Sequence, residues 1–293
     1  MKFMKARKFI YILLLLVCSI HHGMGQVRVG GGLDLSQPAD SAKVNIHDTA
    51  AYRVFYATYH CDDSSNCLLK ESYSILLIGK KGYTQFMDYS SFRRDSMVVA
   101  AARNGESESS FFLKAMGLKS GNVLDGILLY NPNSNEFIAQ EEPPFSKRFQ
   151  YIDDRADLEW TLVEKDTIVA GIGCKMATTH FRGRDYVAWY APEIPLSYGP
   201  YKFGGLPGLI LSIYDSKREC IFTIAGLEPV NYYDRLFTYQ DYDLETRENV
   251  HKMIRNYYAD PASGIKNSGM TITMSDEDWA SIKPKPYNPI ELE

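Results

Sequence analysis

The sequence predicts a mainly β, single-domain protein in which an antiparallel meander forms a curved open sheet or half-barrel, with one C-terminal-region helix packed on it. Short segments with period-two alternation, rich in β-branched and aromatic residues, recur from residue 52 to residue 225. One later segment has instead the spacing of a helix. A content of 45% hydrophobic and 13% aromatic residues supports a packed core. It excludes a disordered, collagen-like or coiled-coil chain.

The N-terminal residues have the pattern of a secretory signal peptide. Four basic side chains in the first eight residues precede the apolar run Phe9–Ile20, and glycines follow at positions 23 and 25. This run is shorter than the roughly 20 residues that a membrane helix needs. We therefore expect an exported protein, periplasmic or outer-membrane-associated, without a transmembrane segment in the mature chain. Cys18 would permit a lipid anchor, but the bulky Val17 before it makes a lipoprotein the less favoured interpretation.

Charge excludes one class of partner. The formal net charge is −4, and removal of residues 1–25 takes away four basic residues and no acidic one, which leaves −8. A nucleic-acid partner is not expected, because phosphate binding requires a basic surface.

The strands follow one another with recognisable turns between them. Glycines around Lys80 and Lys81 indicate a hairpin tip, the turn formers Asn131–Asn135 indicate a second hairpin, and Gly183 indicates a third turn. The predicted strands are Tyr52–Cys61, Glu71–Ile78, Tyr83–Tyr89, Ile127–Tyr130, Glu136–Ala139, Leu158–Val163, Thr167–Phe181, Tyr186–Tyr190, Leu209–Tyr214 and Cys220–Ala225.

Helical spacing of Val250, Met253, Ile254 and Tyr257 predicts a helix over roughly Leu244–Tyr258, which ends before Pro261. A shorter helix is compatible with Ser91–Arg103. The predicted organisation is a signal peptide at 1–25, a flexible leader at 26–51, one domain at 52–282 and an extended, proline-containing tail at 283–293.

Four cysteines remain after the signal peptide: Cys61, Cys67, Cys174 and Cys220. In an oxidising compartment they predict disulfides, and the short spacing favours Cys61 with Cys67, which leaves Cys174 with Cys220. The alternative is a metal site that uses His60, Cys61, Asp62 and Cys67. No second cysteine or histidine pair completes a tetrahedral set, so we expect no metal and no cofactor.

The most unusual segment lies between residues 171 and 210. It contains Phe181-Arg182-Gly183-Arg184, then Gly199-Pro200-Tyr201-Lys202-Phe203, then the hexapeptide Gly205–Ile210. This segment resembles the GLPGLI family of exported Gram-negative proteins, and the ending Asn288–Leu292 is similar to the terminus of that family. The resemblance implies export and an accessory role beside an outer-membrane TonB-linked receptor. It implies no catalytic activity.

The same segment supplies the candidate binding residues. If the strands around Gly183 pair, the side chains of Arg182, Arg184 and Lys202 converge beside Trp189 and Tyr201 and could hold a carboxylate or phosphate. The alternative is that the arginines pair with nearby acids. The loop Gly204, Gly205, Leu206, Pro207 and Gly208 is interpreted as structural, because its glycines permit a tight turn.

No catalytic motif is found, and no catalytic residue is predicted. The leading hypothesis is an exported, non-enzymatic accessory or binding protein of the cell envelope. Two alternatives remain: a half-barrel carrier of a lipid or other apolar ligand, and an unrecognised hydrolase or metalloenzyme.

Overall fold

Long antiparallel strands dominate the computed structural model of the protein, which describes residues 28–29, 42–107, 126–155, 158–230, 233–269 and 272–293. The strands are β1 (Arg28–Val29), β2 (Val44–His60), β3 (Lys70–Gly79), β4 (Thr84–Asp88), β5 (Gly126–Asn131), β6 (Glu136–Glu141), β7 (Phe149–Asp154), β8 (Thr161–Val169), β9 (Ile172–Phe181), β10 (Arg184–Ala191), β11 (Leu209–Asp215), β12 (Cys220–Pro229), β13 (Arg235–Tyr239), β14 (Asp243–Leu244) and β15 (Ile272–Thr273). The helices are α1 (Tyr89–Arg103), α2 (Arg247–Ala259), α3 (Pro261–Lys266) and α4 (Asp276–Ser281).

One large open sheet organises the described residues. Its strand order is β14-β7-β6-β5-β4-β3-β2-β12-β11-β10-β9-β8, β13 pairs with β2 outside this path, and β1 pairs separately with β15. Every pairing is antiparallel except that of β14 with β7. The two ends of the order, β14 and β8, do not pair, so the sheet is not closed. The predicted mainly β fold with an open sheet is confirmed.

The sheet carries a core on each face, as strand β3 shows. Leu76 and Ile78 belong to the larger cluster, whereas Ile75 and Leu77 belong to the smaller one. Successive side chains of a strand point to opposite faces, so these clusters lie on opposite sides of the sheet. Helix α1 and strand β13 contribute to the smaller core, and α2 contributes Val250 to the larger one.

Residues 44–51, predicted to be part of a flexible leader, are strand. Strand β2 begins at Val44, and its first part pairs with β13 while its second part pairs with β12. The prediction was wrong here because one of the buried positions of this strand holds a polar residue, Asp48, which hides the alternation of apolar and polar residues. Its carboxylate accepts hydrogen bonds from the backbone N–H groups of Thr49 and Lys81, both at 2.7 Å. Residues 1–25 lie outside the described residues.

The segment Thr167–Phe181, predicted as one strand, is divided between β8 and β9. Ala170 and Gly171 have φ values of 51° and 80°, which is the geometry of a type I′ hairpin turn. The sequence signal was weak because alanine seldom adopts positive φ. The predicted turn at Gly183 is confirmed, with φ values of 47° at Arg182 and 81° at Gly183.

Both predicted helices are present, and each has a side-chain cap. The Asp88 carboxylate accepts a hydrogen bond from the backbone N–H of Ser91 at the start of α1, and Thr246 caps α2. Pro261 ends α2 as predicted and begins α3. None of the helices among the described residues has the length and apolarity that a membrane span requires.

One of the two expected disulfides is present. Cys61 and Cys67 are bonded, which confirms their pairing and removes both thiolates from the alternative metal site. Cys174 and Cys220 are free and buried, so the expectation that they pair was wrong. Cys174 lies on β9 and Cys220 on β12, with β10 and β11 between them. Three strand spacings are about 14 Å, beyond the reach of a disulfide.

Candidate functional site

The tail segment, residues 282–293, runs back over the sheet instead of extending away from it. Two backbone hydrogen bonds fix its course: Lys285 N–H donates to Tyr258 O at 2.8 Å, and Leu292 N–H donates to Arg182 O at 2.9 Å. Ile290 is buried in the larger core. The tail segment is therefore part of the domain, and two polar anchors hold it there.

The first anchor is Asn288. Its side-chain amide donates to Cys61 O at 2.9 Å and to Glu219 Oε2 at 3.1 Å, and its backbone carbonyl oxygen lies 2.7 Å from His60 Nε2. Asn288 is 6% exposed. Its polar atoms find partners at the end of β2 and the beginning of β12, so burial leaves them hydrogen-bonded.

Arg184 completes this first anchor. Its guanidinium donates to Asp215 Oδ2 at 3.1 Å, to Glu219 Oε2 at 2.9 Å and to Pro289 O at 2.8 Å, and it also donates to Asn288 Oδ1. Its side chain is 4% exposed. Burial alone would lower the pKa of the guanidinium, but the neighbouring carboxylates outweigh that effect and raise the pKa. Arg184 thus binds tail atoms, with two buried carboxylates balancing its charge.

The second anchor is the Glu291 cluster, formed by Asp153, Arg182, Lys202, Arg247 and Glu291. Lys202 Nζ lies 2.5 Å from carboxylate oxygens of both Asp153 and Glu291. Arg182 donates to Asp153 at 2.9 Å, and Arg247 donates to Glu291. Burial alone would raise the pKa of Glu291, but Lys202 and Arg247 outweigh it and lower the pKa to about 2. Three cations thus share two carboxylates, one of which is supplied by the tail segment.

Tyr201 adds a neutral donor to the Glu291 cluster. Its hydroxyl donates to Glu291 Oε1 at 2.5 Å, and burial, followed by the charge of Glu291, raises its pKa well above the ordinary value. The backbone of Tyr201 has φ of 56°, a left-handed conformation that bulky residues seldom adopt. The turn Pro200–Phe203 holds this conformation through the hydrogen bond from Phe203 N–H to Pro200 O at 3.1 Å. The turn thereby aims both Tyr201 and the next side chain, Lys202, at the tail.

The predicted binding residues are distributed over three places. Arg182, Tyr201 and Lys202 converge in the Glu291 cluster, whereas Arg184 belongs to the first anchor. Trp189 lies five positions after Arg184 on β10. An odd offset places its side chain on the opposite face of that strand, where it is partly buried. The carboxylates that Arg182 and Lys202 bind are those of Asp153 and Glu291, which belong to this chain and not to a ligand.

The glycine loop joins the core through its apolar residues. Leu206 and Leu209 are fully buried, and Trp160 Nε1 donates to Gly204 O at 2.9 Å. Gly208 has φ of 153°, and a Cβ there would lie 2.2 Å from Ala191 O. The loop packs against the end of β10 and supports the turn that carries Tyr201.

Two adjoining cavities lie beside the tail segment, and together they are called the tail cleft. The smaller has a volume of about 120 Å³ and the larger about 350 Å³. Side chains of α2 form one wall and the tail forms another. His251, Tyr258, Tyr287, Pro289 and Glu291 line both cavities.

An acid–base group borders the smaller cavity. The Tyr151 hydroxyl donates a hydrogen bond to Glu141 Oε1 at 2.5 Å. His251 Nε2 lies 3.2 Å from the same hydroxyl and 3.8 Å from Glu141 Oε1. Burial, followed by the charge of Glu141, raises the pKa of Tyr151 well above its ordinary value. The arrangement can bind or relay a proton, and α2 positions His251 one turn after Arg247. In the described ranges, no group of three or more histidine, cysteine, aspartate or glutamate residues could hold a metal ion.

Sequence reasoning missed several residues of this site. Asp153 was not among the predicted site residues, and Glu291 was noted only as part of a family-like ending. No recognised sequence motif includes Arg247, Glu141 or His251. The spacing of Arg247, His251 and Tyr258 along one side of α2 was the available signal, but nothing in the sequence showed what that side faces.

Comparisons with known proteins give a partial match. The family model described as "Protein of unknown function (Porph_ging)" matches residues 152–212, a stretch that contains Asp153, Arg182, Arg184, Lys202 and the glycine loop. No curated protein sequence matches the chain. Two solved structures are similar: "Structure of PNGF-II in P21 space group", with TM-score 0.46 and 13% identity, and "Structure of PNGF-II in C2 space group", with TM-score 0.45 and 12% identity. Each alignment covers 70% of this chain but only 33% and 32% of those chains, so this chain spans about a third of their length.

Proposed function

We propose that this protein is an exported binding protein of the cell envelope, which works beside an outer-membrane TonB-linked receptor and accepts a segment of its partner in the tail cleft. The signal-peptide pattern supports export, and the resemblance to the GLPGLI family supports the envelope location and the receptor. The family-model match covers three of the residues that hold the tail segment, Arg182, Arg184 and Lys202, which agrees with a shared structural role for them.

The observation that carries the proposal is the way in which the tail cleft is built. One of its walls is the tail segment, and two buried polar anchors fix that wall to the sheet. A site whose walls are held before binding requires little ordering when a ligand enters. The anchors therefore favour a preformed binding site over a surface that must reorganise.

The lining of the tail cleft favours this proposal over a lipid carrier. An apolar ligand requires a pouch lined mainly by hydrophobic side chains. Beside its prolines and isoleucines, the smaller cavity is lined by four carboxylates, two histidines and three tyrosines, and the larger one includes Arg255, Lys285 and Glu293. Burying an acyl chain against these groups would remove water from charged and polar side chains, which costs free energy.

Site-specific photo-crosslinking in solubilised outer membranes tests the proposal. A photoreactive phenylalanine analogue replaces Tyr258, which lines the tail cleft, and in a matched protein it replaces Tyr233, which is 70% exposed and is not among the cleft-lining residues. We expect a discrete adduct with a membrane receptor from position 258 only. No adduct from position 258, or the same adduct from both positions, would contradict binding in the tail cleft.

A second candidate function, an unrecognised hydrolase, is favoured by the acid–base group at Glu141, Tyr151 and His251. A hydrolase would use these side chains to move protons during bond cleavage. A panel of ester, amide and glycoside substrates separates the two functions. Turnover that is lost in His251→Ala, while the far-ultraviolet circular dichroism is unchanged, would favour the enzyme.

A further inference from the structure

The smaller cavity of the tail cleft has a one-sided charge. Four of its lining residues are carboxylates, Asp62, Glu141, Glu142 and Glu291, and within the described part of the chain its lining includes no lysine or arginine. A cleft lined by charges of one sign attracts the opposite charge and repels its own. The lining therefore favours a cationic occupant.

The carboxylates differ in how well the protein neutralises them. Glu291 is paired with Lys202 and Arg247, Asp62 with Lys70, and Glu142 with Arg148. Glu141 differs from these three: the ion-pair partner described for it is His251, with 3.8 Å between Nε2 and Oε1. Its side chain is only 16% exposed. Glu141 is thus a mostly buried carboxylate that lacks a permanently charged partner among the described residues, and it borders the smaller cavity.

Two aromatic rings line the same cavity. Tyr258 and Tyr287 stack with their ring centroids 4.7 Å apart and an interplanar angle of 22°. Aromatic faces attract ammonium and guanidinium groups within about 6 Å of the ring centre, and the attraction increases when the cation is shielded from water. Tyr258 comes from α2 and Tyr287 from the tail segment, so the tail closes an aromatic wall beside Glu141.

We propose that the smaller cavity binds the cationic head group of a lysine or arginine side chain, with Glu141 as its counter-ion and the Tyr258–Tyr287 pair as its aromatic wall. This inference rests on the proposed function, because it specifies the side chain that the partner segment inserts. The volume of about 120 Å³ suits a head group with a few methylene groups, since a cavity of about 150 Å³ holds a benzene molecule. The rest of the partner segment would lie outside this cavity.

Calorimetry on the full chain tests the proposal with three probes: N-acetyl-arginine amide, N-acetyl-lysine amide and the uncharged near-isostere N-acetyl-citrulline amide. We expect saturable binding of the arginine probe, the lysine probe or both, and citrulline amide at least tenfold weaker than the better one. Whichever charged probe binds more tightly identifies the source of the head group. Equal binding of citrulline amide, or no saturable binding of either charged probe, would overturn the proposal.

Substitutions localise the binding. Glu141→Gln should weaken the better probe at least tenfold, and Tyr258→Leu should weaken it severalfold without changing the charge of the site. The matched control is Glu248→Gln, an exposed position on α2, which should leave binding unchanged. An unchanged affinity in both cavity variants would refute the site. Receptor adducts from position 258 would then still support the proposed function, so the two failures are distinguishable.

Discussion

Replacement of Glu291 by glutamine tests the physical role of the Glu291 cluster. The substitution keeps the size of the side chain and removes its negative charge, which leaves Arg182, Lys202 and Arg247 with Asp153 as the remaining carboxylate of the cluster. The side chain of Glu291 is 1% exposed, so water cannot replace the lost charge. We expect the variant to fold with a lower free energy of unfolding and a more mobile tail segment.

The expected loss of folding free energy follows from the pKa of Glu291. It is lowered from the ordinary value of 4.5 to about 2. Each pKa unit corresponds to about 1.4 kcal/mol, so the charged form contributes about 3 kcal/mol to stability near neutral pH. Breaking one partner of a buried ion pair has a similar effect, about 3–5 kcal/mol. Glu291→Gln should therefore lower the free energy of unfolding at pH 7 by about 3 kcal/mol.

The direction of the pKa shift also determines how this stabilisation changes with pH. Because the pKa is lower in the folded protein than in the unfolded chain, the stabilisation is fully present above about pH 4.5 and is lost as the pH falls towards about 2. Protonated Glu291 carries no charge, like glutamine, so the difference between wild type and variant should shrink over this interval.

Urea unfolding followed by circular dichroism at several pH values measures this difference. The control is Glu277→Gln on α4, an exposed position that should change stability by less than about 0.5 kcal/mol. A Glu291→Gln variant as stable as wild type at pH 7 would refute the reasoning. So would a difference that stays constant between pH 5 and pH 2.5.

Three further predictions concern the same framework. Lys202→Met should lower the free energy of unfolding by about 3 kcal/mol, because two buried carboxylates lose their shared partner; urea unfolding should show it, and a change below 1 kcal/mol would contradict it. Gly208→Ala should lower the thermal midpoint more than Gly171→Ala, since both have positive φ but only a Cβ at Gly208 meets backbone atoms; equal midpoints would disprove the role of close packing. Cys61→Ser with Cys67→Ser should lower stability by about 2 kcal/mol in the chain-entropy model for so short a loop. Reduction of the wild type should have the same effect, and no change in urea midpoint after either treatment would show that the disulfide does not stabilise the domain.

Local chemistry explains why parts of the fold were predictable. Hairpin tips around Lys80, at Asn131–Asn135 and at Gly183 use residues that favour turns, so their strands could be placed from local signals. The turn at Ala170 and Gly171 was missed because alanine is unusual there. The first part of β2 was missed because its burial depends on pairing with β13, which lies about 190 residues later in the chain.

The candidate site was predictable only in part, for the same reason. The basic and aromatic residues near Gly183 stood out because they are close together in the sequence. Their partners come from β7, from β11, from the residue before β12 and from the tail segment, and no local pattern connects Arg182 with Asp153 or Lys202 with Glu291. The expectation that Cys174 pairs with Cys220 was wrong for a related reason, since counting cysteines does not reveal the two strands between them.

The sequence by itself determined the class of the fold, because alternation, turn residues and helical spacing act over a few neighbouring residues. It also singled out the basic residues Arg182, Arg184 and Lys202, because they lie close together in the chain. Only the tertiary structure decided what these side chains do. Burial makes every charge require a partner, and the sheet brings those partners together from distant parts of the chain, so Arg182, Arg184 and Lys202 hold the tail and thereby form the cleft beside it.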